Sequence, residues 1–419
     1  MFASDPGFAE KCKRVPCRSC GRQGLLPVLN LGMMPLSDGL LTQEQLAAES
    51  ERSYPLELAY CPVCSLVQIL ETVPPETLFC DDYPYYSSFS DALLEHSRKN
   101  AFALIESRQL DEKSLVVELA SNDGYLLKNF VERGIPVLGI DPAEGPVKAA
   151  LKIGVPTTCT FFTKDLALKL RNEGKLADVI IANNVLAHVA DTNGFVEGMR
   201  ILMKDSGVGV IEAPYVRDLV DHCEFDTIYH EHLCYFSVSS VDRLFRRHEL
   251  FLNKIERLPI HGGSLRLYVE PREAVEESVR ALLAEEATLG VDKYGYYEDF
   301  STKVLGIRSS MRELLSALKA GGNRIAAYGA AAKGAIMLNF IGAGTDLVDF
   351  VVDRNVHKQG KFMPGMHQPI YDPSTLMQHK PDYVVILPWN FKDEIICQQA
   401  AYRQMGGRFI VPIPQPAIV

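Results

Sequence analysis

The chain has no uncharged apolar run near the roughly 20 residues that a membrane helix needs. Its first ten residues lack a basic stretch followed by an apolar one, so they do not read as a secretory signal. Positive charge is not in surplus either: 43 Lys and Arg stand against 53 Asp and Glu, a net charge of −10. That balance argues against a nucleic acid as the main partner, because binding its backbone takes dense Lys and Arg to displace counterions. A local basic pocket for one diphosphate remains compatible with it. The GxGxxG dinucleotide fingerprint is also missing. These absences point to the cytoplasm, with no membrane partner.

What is present is an ordinary globular composition, 47% hydrophobic and 23% charged over 419 residues. That length suggests about two to four domains. The ten cysteines are not expected to form structural disulfides in the cytoplasm. Four of them pair off as Cys17-Arg-Ser-Cys20 and Cys61-Pro-Val-Cys64. Two CxxC knuckles supply four thiolates, a closed tetrahedral set for structural zinc with no open position for water. Such a clip would staple a module of about 60 residues, too small for a large core of its own. The competing readings are two unrelated reduced CxxC pairs and a redox dithiol, which belongs at a strand-to-helix step of a thioredoxin-like pattern. Neither pair sits at one. Cys12, Cys80, Cys159, Cys223, Cys234 and Cys397 read as ordinary thiols.

From residue 114 apolar strands alternate with amphipathic helices. Strands are expected at 114–119, 136–140, 178–182 and 208–212, and helices at 125–133, 147–153, 166–172 and 194–203. This alternation predicts an α/β, doubly wound domain with a parallel sheet. Ligands in such sheets bind beyond the carboxyl ends of the strands. Glu118, Ser121, Asn122, Asp123, Gly124, Asp141, Asn183 and Asn184 lie there. Gly124 would allow the turn to approach a ligand closely. Asp141 stands roughly 20 residues past the turn, where an acid can grip a ribose diol. Its plainer reading is a cap ahead of Pro142.

The stretches Glu118-Leu-Ala-Ser-Asn-Asp-Gly-Tyr-Leu126, Gly139-Ile-Asp-Pro142 and Ala182-Asn-Asn-Val-Leu-Ala-His-Val189 resemble the nucleotide-sugar C-3′ methyltransferases of deoxysugar biosynthesis. The paired CxxC module has that family's arrangement, and the resemblance extends over essentially the whole chain. It implies a zinc-binding module, a class I methyltransferase core that binds S-adenosylmethionine, and a Rossmann-like C-terminal domain completing the nucleotide-sugar site. The expected divisions are 1–80, 81–270 and 271–419.

Residues 229–237, Tyr-His-Glu-His-Leu-Cys-Tyr-Phe-Ser, hold two imidazoles, a carboxylate and two phenols within their first seven positions. That density makes a poor core and a plausible acid–base set. The order does not fit HExxH zinc-protease spacing, and the plain alternative is a loop with a His–Glu hydrogen bond. Methylating a carbon next to a ketone requires a base for the α-proton and donors for the enolate. The resemblance makes His232 the base and Glu231 the group that holds or polarises the sugar. It gives Tyr229 to the oxyanion or a hydroxyl of the sugar, His188 to the enolate oxygen, and Tyr83 or Tyr86, from the linker 81–88, to the active site.

In the C-terminal part, strands are expected at 250–258 and 265–270, then helix to about 320. A second α/β unit follows, with strands at 324–328 and 347–352 around a small-residue turn, 329–334. The turn and Asp353 imitate a dinucleotide site, but Lys333 stands in the first helical turn and the glycine order is wrong. With Lys333, the basic loop carrying Lys358 and Lys361 suits a diphosphate; the alternative is a solvated charge run. The expected substrate is a thymidine-diphosphate-linked 4-keto-6-deoxy sugar, and a monomer with both α/β units flanking one cleft would suffice. Competing readings are an N- or O-methyltransferase, a zinc-stapled nucleotide-binding protein without chemistry, and a nicotinamide-dependent oxidoreductase.

Overall fold

The structure, a computed structural model, describes residues 6–49, 51–79 and 86–419. Tyr83 and Cys80 lie outside the described residues.

A seven-stranded sheet forms the middle of the molecule. Its order is Phe251–Leu258, Ser264–Glu270, Met203–Pro214, Ala177–Asn183, Val116–Leu119, Val137–Asp141, Thr157–Cys159. The last five are parallel, whereas Ser264–Glu270 runs antiparallel to both its neighbours. The central strands read as apolar runs because helices cover both faces. From Val116–Leu119 the chain winds outward to Thr157–Cys159, then crosses back to Ala177–Asn183 on the other side. The switch point therefore lies between Val116–Leu119 and Ala177–Asn183, where an open α/β sheet leaves its crevice.

Two sequence expectations are corrected. The helix expected over 125–133 shrinks to Lys128–Val131. Leu126, Leu127 and Phe130 are all fully buried, so the segment packs on several sides as tight turns instead of one amphipathic face. The strand expected at 347–352 is confined to Val351–Val352, because Leu347 and Val348 donate back to the Gly344 carbonyl in a turn (3.0 and 2.9 Å).

The C-terminal sheet has the order Ile370–Tyr371, Val351–Val352, Ile325–Tyr328, Tyr383–Ile386, Arg408–Val411, Ala417–Ile418, with the last strand alone antiparallel. Helices Glu277–Leu289 and Phe300–Ala320 lead to it. Glu286, fully buried on the first of them, accepts from the Tyr215 hydroxyl, the Val238 and Ser239 amides and the Ser239 hydroxyl (2.6–2.8 Å). Four donors compensate its desolvation and tie this helix to the methyltransferase sheet.

The N-terminal sheet was not anticipated. Leu26–Pro35, Ser53–Tyr60 and Val67–Ile69 pair antiparallel, and the fourth strand, Cys234–Tyr235, comes from far along the chain. One contiguous apolar cluster runs from Phe8 through Met199 to Ile413, so the three sheets share a core. Among the described residues no helix is long and apolar enough to cross a membrane.

Candidate functional site

The two cysteine knuckles fold alike. Cys17 accepts from Gly21 and donates to Arg22; Cys61 accepts from Ser65 and donates to Leu66, all at 2.8–2.9 Å. The residue after each pair, Gly21 or Ser65, takes a positive φ (71° and 63°). Ser65 adopts it without glycine's freedom, and its hydroxyl is held by Arg243 at 2.7 Å. All four sulfurs lie within 4.8 Å of one another, with Cys17–Cys64 at 3.4 Å and Cys20–Cys61 at 3.6 Å. A tetrahedron of sulfurs about 2.3 Å from zinc has edges of about 3.8 Å, so the donor set fits the ion. Cys12, buried beside this cluster, has its thiol pushed up to about 12 by burial and by Glu57. It stays a neutral thiol.

The module does more than close on itself. Val67 and Gln68 pair with Tyr235 and Cys234, and Ile69 donates to the Leu233 carbonyl at 3.1 Å. Leu233 in turn donates to Ala187 at 2.8 Å. The cysteine sheet thus holds both the 229–237 segment and the turn bearing His188. His230 is drawn the other way, its Nε2 3.3 Å from the Pro55 carbonyl and its ring edge-on to Tyr54, so it packs against the module.

At the switch point, Glu118 is the last residue but one of its strand and is buried. Burial, then Asp141, Asp123 and Glu212, push its carboxyl well above the usual range. Glu118 Oε2, Ser121 Oγ, Asp123 Oδ1 and Asn183 Oδ1 are buried without a hydrogen-bond partner among the described residues. Such polar atoms mark a crevice that takes a polar ligand, and an adenosyl and amino-acid donor suits it.

Several residues of this crevice also serve the backbone. Asp141 accepts from the Asn122 and Ala143 amides (2.8 and 2.9 Å), so it fastens the turn, and Ala143 occupies the helix cap. Asn122 and Asp123 accept from the Ser87 and Ser88 amides, drawing that segment over the turn. The missing Cβ of Gly124 would point at Val155 and Ala150, so the close approach it allows is to the adjacent helix. A Cβ on Gly139 would meet Ser121 Oγ at 2.5 Å, and glycine there leaves room for that hydroxyl. Asn184, at φ 53°, donates to the Glu212 carbonyl (2.8 Å).

The imidazoles of His188 and His232 meet edge to face, centroids 4.8 Å apart. Tyr229 lies against His232 at 4.0 Å, Tyr235 follows at 6.3 Å, and Phe79 abuts His188 at 5.7 Å. His232 Nδ1 is 2.9 Å from the Thr227 carbonyl. A carbonyl only accepts, so Nδ1 carries the proton and Nε2 is the basic nitrogen. Desolvation drops His188 to about 4, so it is neutral at neutral pH. Burial, reinforced by Asp38 and opposed by Lys358, holds the Glu231 carboxyl well above its usual range, so it can stay protonated and donate. Tyr86 is elsewhere: its hydroxyl abuts Gly145 and its ring meets Phe89, which puts it beside the Asp141 turn. Thr227 and Phe79 carried no signal in the sequence, since one acts through its carbonyl and the other by packing.

In the C-terminal sheet, Asp353 accepts from the Ala330 amide at 2.7 Å, and the Lys358 ammonium donates to the Ala330 carbonyl at 2.7 Å. The turn that imitated a dinucleotide site is thus laced by its own side chains. Lys333 sits 4.7 Å over the Trp389 ring and donates to Asn390. Lys361 lies in a loop that pairs with the N-terminal module, Phe362 exchanging hydrogen bonds with Leu41 (2.9 and 3.0 Å).

Three family models match the chain in succession: a zinc binding domain at residues 17–79, a methyltransferase domain at 92–252 and a C-methyltransferase C-terminal domain at 259–414. The C-methyltransferase NovU of Streptomyces niveus is 34% identical over 406 residues, covering 96% of each chain. Solved structures similar to part of the chain include an S-adenosylmethionine-dependent methyltransferase from Clostridium acetobutylicum (10% identical, 42% of this chain and 91% of that one, TM-score 0.35). Another is magnesium protoporphyrin IX methyltransferase from Synechocystis (17% identical, 42% and 82%, TM-score 0.33). With a cysteine tetrad that fits zinc, a class I sheet with its crevice at the switch point, and near full-length kinship to NovU, the chain belongs to this family of S-adenosylmethionine-dependent, zinc-binding C-methyltransferases.

Proposed function

We propose that the enzyme methylates carbon 3 of a nucleotide-diphosphate-linked 4-keto-6-deoxy sugar, with His232 as the base. The observation that carries this reading is the 2.9 Å hydrogen bond from His232 Nδ1 to the Thr227 carbonyl, which turns Nε2 into a fixed proton acceptor beside His188 and Tyr229. S-adenosylmethionine, when bound at the Glu118–Asn183 crevice, supplies an electrophilic methyl. His232 Nε2 takes the proton from C3, and the C–H electron pair becomes the enolate, its charge on the C4 oxygen. A neutral His188, the Tyr229 hydroxyl and a protonated Glu231 are suited to donate to that oxygen. C3 then bonds to the methyl carbon as the carbon–sulfur bond breaks, and the proton on His232 leaves to solvent. Tyr83 remains assigned to this pocket by resemblance.

Lys333, Lys358 and Lys361 are read as diphosphate contacts. Support comes from Lys358, close enough to Glu231 to oppose the rise of its carboxyl. We divide the domains at 80 and 270; the second boundary is supported by strands Phe251–Leu258 and Ser264–Glu270, which belong to the methyltransferase sheet.

The test is mass spectrometry of assays with thymidine-, guanosine- and cytidine-diphosphate 4-keto-6-deoxy sugars plus S-adenosylmethionine, alongside deuterium exchange at C3. A carbon-bound methyl with exchange at C3 is expected. A product methylated on nitrogen or oxygen, with no exchange, overturns the reading.

A further inference from the structure

Which nitrogen of His232 is basic depends on where one carbonyl points, and that carbonyl belongs to a short helical turn, Phe225–Thr227. The Thr227–Ile228 peptide carries two bonds at once. Its C=O accepts from His232 Nδ1 at 2.9 Å, and its N–H donates to the Phe225 carbonyl at 3.0 Å. A peptide unit is planar, so holding the N–H fixes the direction of the C=O. The Thr227 amide and hydroxyl both donate to the Glu224 carbonyl (3.0 and 2.7 Å). The turn therefore moves as a unit, and its orientation is set by whatever holds Phe225 and Asp226.

Both are held by the C-terminal α/β unit. Phe225 is fully buried, its ring centroid 5.0 Å from that of Phe340 on helix Ala332–Ile341. Asp226 is wholly buried too. Its Oδ2 accepts from the indole N–H of Trp389 at 2.8 Å, and the Lys333 ammonium, from the same helix as Phe340, lies 4.7 Å from the indole centroid. Burial raises the Asp226 carboxyl to about 6, and the Lys333 charge and the indole N–H oppose the rise, so the anion prevails at neutral pH.

Stability alone does not account for Asp226. Its other oxygen has no hydrogen-bond partner among the described residues, and a buried carboxylate satisfied on one side is costly. The phenylalanine pair beside it already anchors the turn by apolar burial, and an apolar side chain at 226 would avoid the desolvation. What the carboxylate adds is direction, because a charge-assisted hydrogen bond fixes an angle as well as a distance. We propose that Asp226 is a positioning residue, through which Trp389 of the C-terminal unit aims the Thr227 carbonyl and so keeps the proton of His232 on Nδ1 and its lone pair on Nε2. In this role it acts through the turn, not on the substrate. The proposal rests on the reading of His232 as the base, and it makes that base depend on the seating of the C-terminal unit.

Two readouts test it in the zinc-loaded full chain. One is the tautomer of His232, read without substrate from its imidazole nitrogen resonances, which His232→Asn identifies by their loss. The other is deuterium exchange at C3 of a thymidine-diphosphate 4-keto-6-deoxy sugar. Asp226→Ala is expected to replace the single Nδ1–H form by a mixture of tautomers and to slow exchange by up to about 10²-fold, while the calorimetric affinity for S-adenosylhomocysteine stays at the wild-type value. Asp226→Asn, whose amide oxygen still accepts from the indole, restores both readouts. Should Asp226→Ala not fold, Trp389→Phe removes the N–H from the other side with an aromatic ring kept, and the same change of tautomer is expected. An unchanged His232 tautomer in folded Asp226→Ala, or in Trp389→Phe, overturns the proposal. A changed tautomer together with full C3 exchange in His232→Asn takes the base role from His232 and leaves the positioning by Asp226 standing.

Discussion

His232 donates its Nδ1 proton to the Thr227 carbonyl across 2.9 Å, and that single bond decides which imidazole nitrogen is basic. A side chain cannot be removed from the carbonyl's end of this bond, so the informative substitutions are at His232. His232→Asn is expected to lose proton exchange at C3 of the keto sugar and methyl transfer together, each by about 10²–10⁴-fold, the usual worth of a positioned base. Nuclear magnetic resonance in deuterium oxide reads the exchange, and full exchange in the variant would remove His232 from the role.

His188 contributes a pH signature. Burial lowers its pKa to about 4 from an ordinary value of 6.5. The unfolded chain thus binds this proton more readily than the folded one at intermediate pH. The contribution to stability is complete above about 6.5 and is lost as pH falls from there towards 4. The melting temperature of the wild type should drop further between pH 7 and pH 5 than that of His188→Gln. Equal drops would show that His188 titrates normally.

Zinc should be needed for the order of the 229–237 segment as well as for its own module. Structural zinc contributes apparent binding free energies of about 10–16 kcal/mol in finger peptides, comparable to the whole stability of a domain, about 5–15 kcal/mol. Chelation, or Cys61→Ser, is therefore expected to melt the sheet that pairs with Cys234–Tyr235 and to abolish methyl transfer. Elemental analysis should find one zinc per chain. A metal-free chain with unchanged hydrogen-exchange protection at residues 229–237 would contradict this coupling.

Glu286 offers a stability test remote from the chemistry. Glu286→Ala strands the Val238 and Ser239 amides and the Tyr215 hydroxyl, each unsatisfied donor costing about 1–3 kcal/mol. A loss of about 3 kcal/mol or more in urea unfolding is expected, with Glu286→Gln intermediate because its amide keeps one acceptor oxygen. A midpoint unchanged by alanine would mean that water replaces the carboxylate.

The parts of the fold that were legible share a local cause. Strands such as Ala177–Asn183 show as apolar runs, and the cysteine pairs show by their spacing. The 229–237 segment stood out by its density of acid–base side chains. What was missed is non-local. The fourth strand of the zinc sheet, Cys234–Tyr235, is two residues long and exists only because Val67 and Gln68 lie beside it. Gly124 and Asp141 looked like ligand contacts, yet each first serves the turn it belongs to. Their residue types were right for either task, and only their neighbours separate the two.

Sequence by itself determined the donor chemistry: four thiolates in two knuckles, an alternating α/β pattern with polar residues at strand ends, and a histidine-rich segment able to take a proton. Those properties follow from residue type and spacing along the chain. Tertiary structure decided which groups meet. It sent His230 to Pro55 and His232 to Thr227, put Trp389 on Asp226, and made a strand of Cys234–Tyr235 within the 229–237 segment. Such pairings depend on backbone carbonyls and amides, which every residue carries alike, so no side-chain pattern announces them.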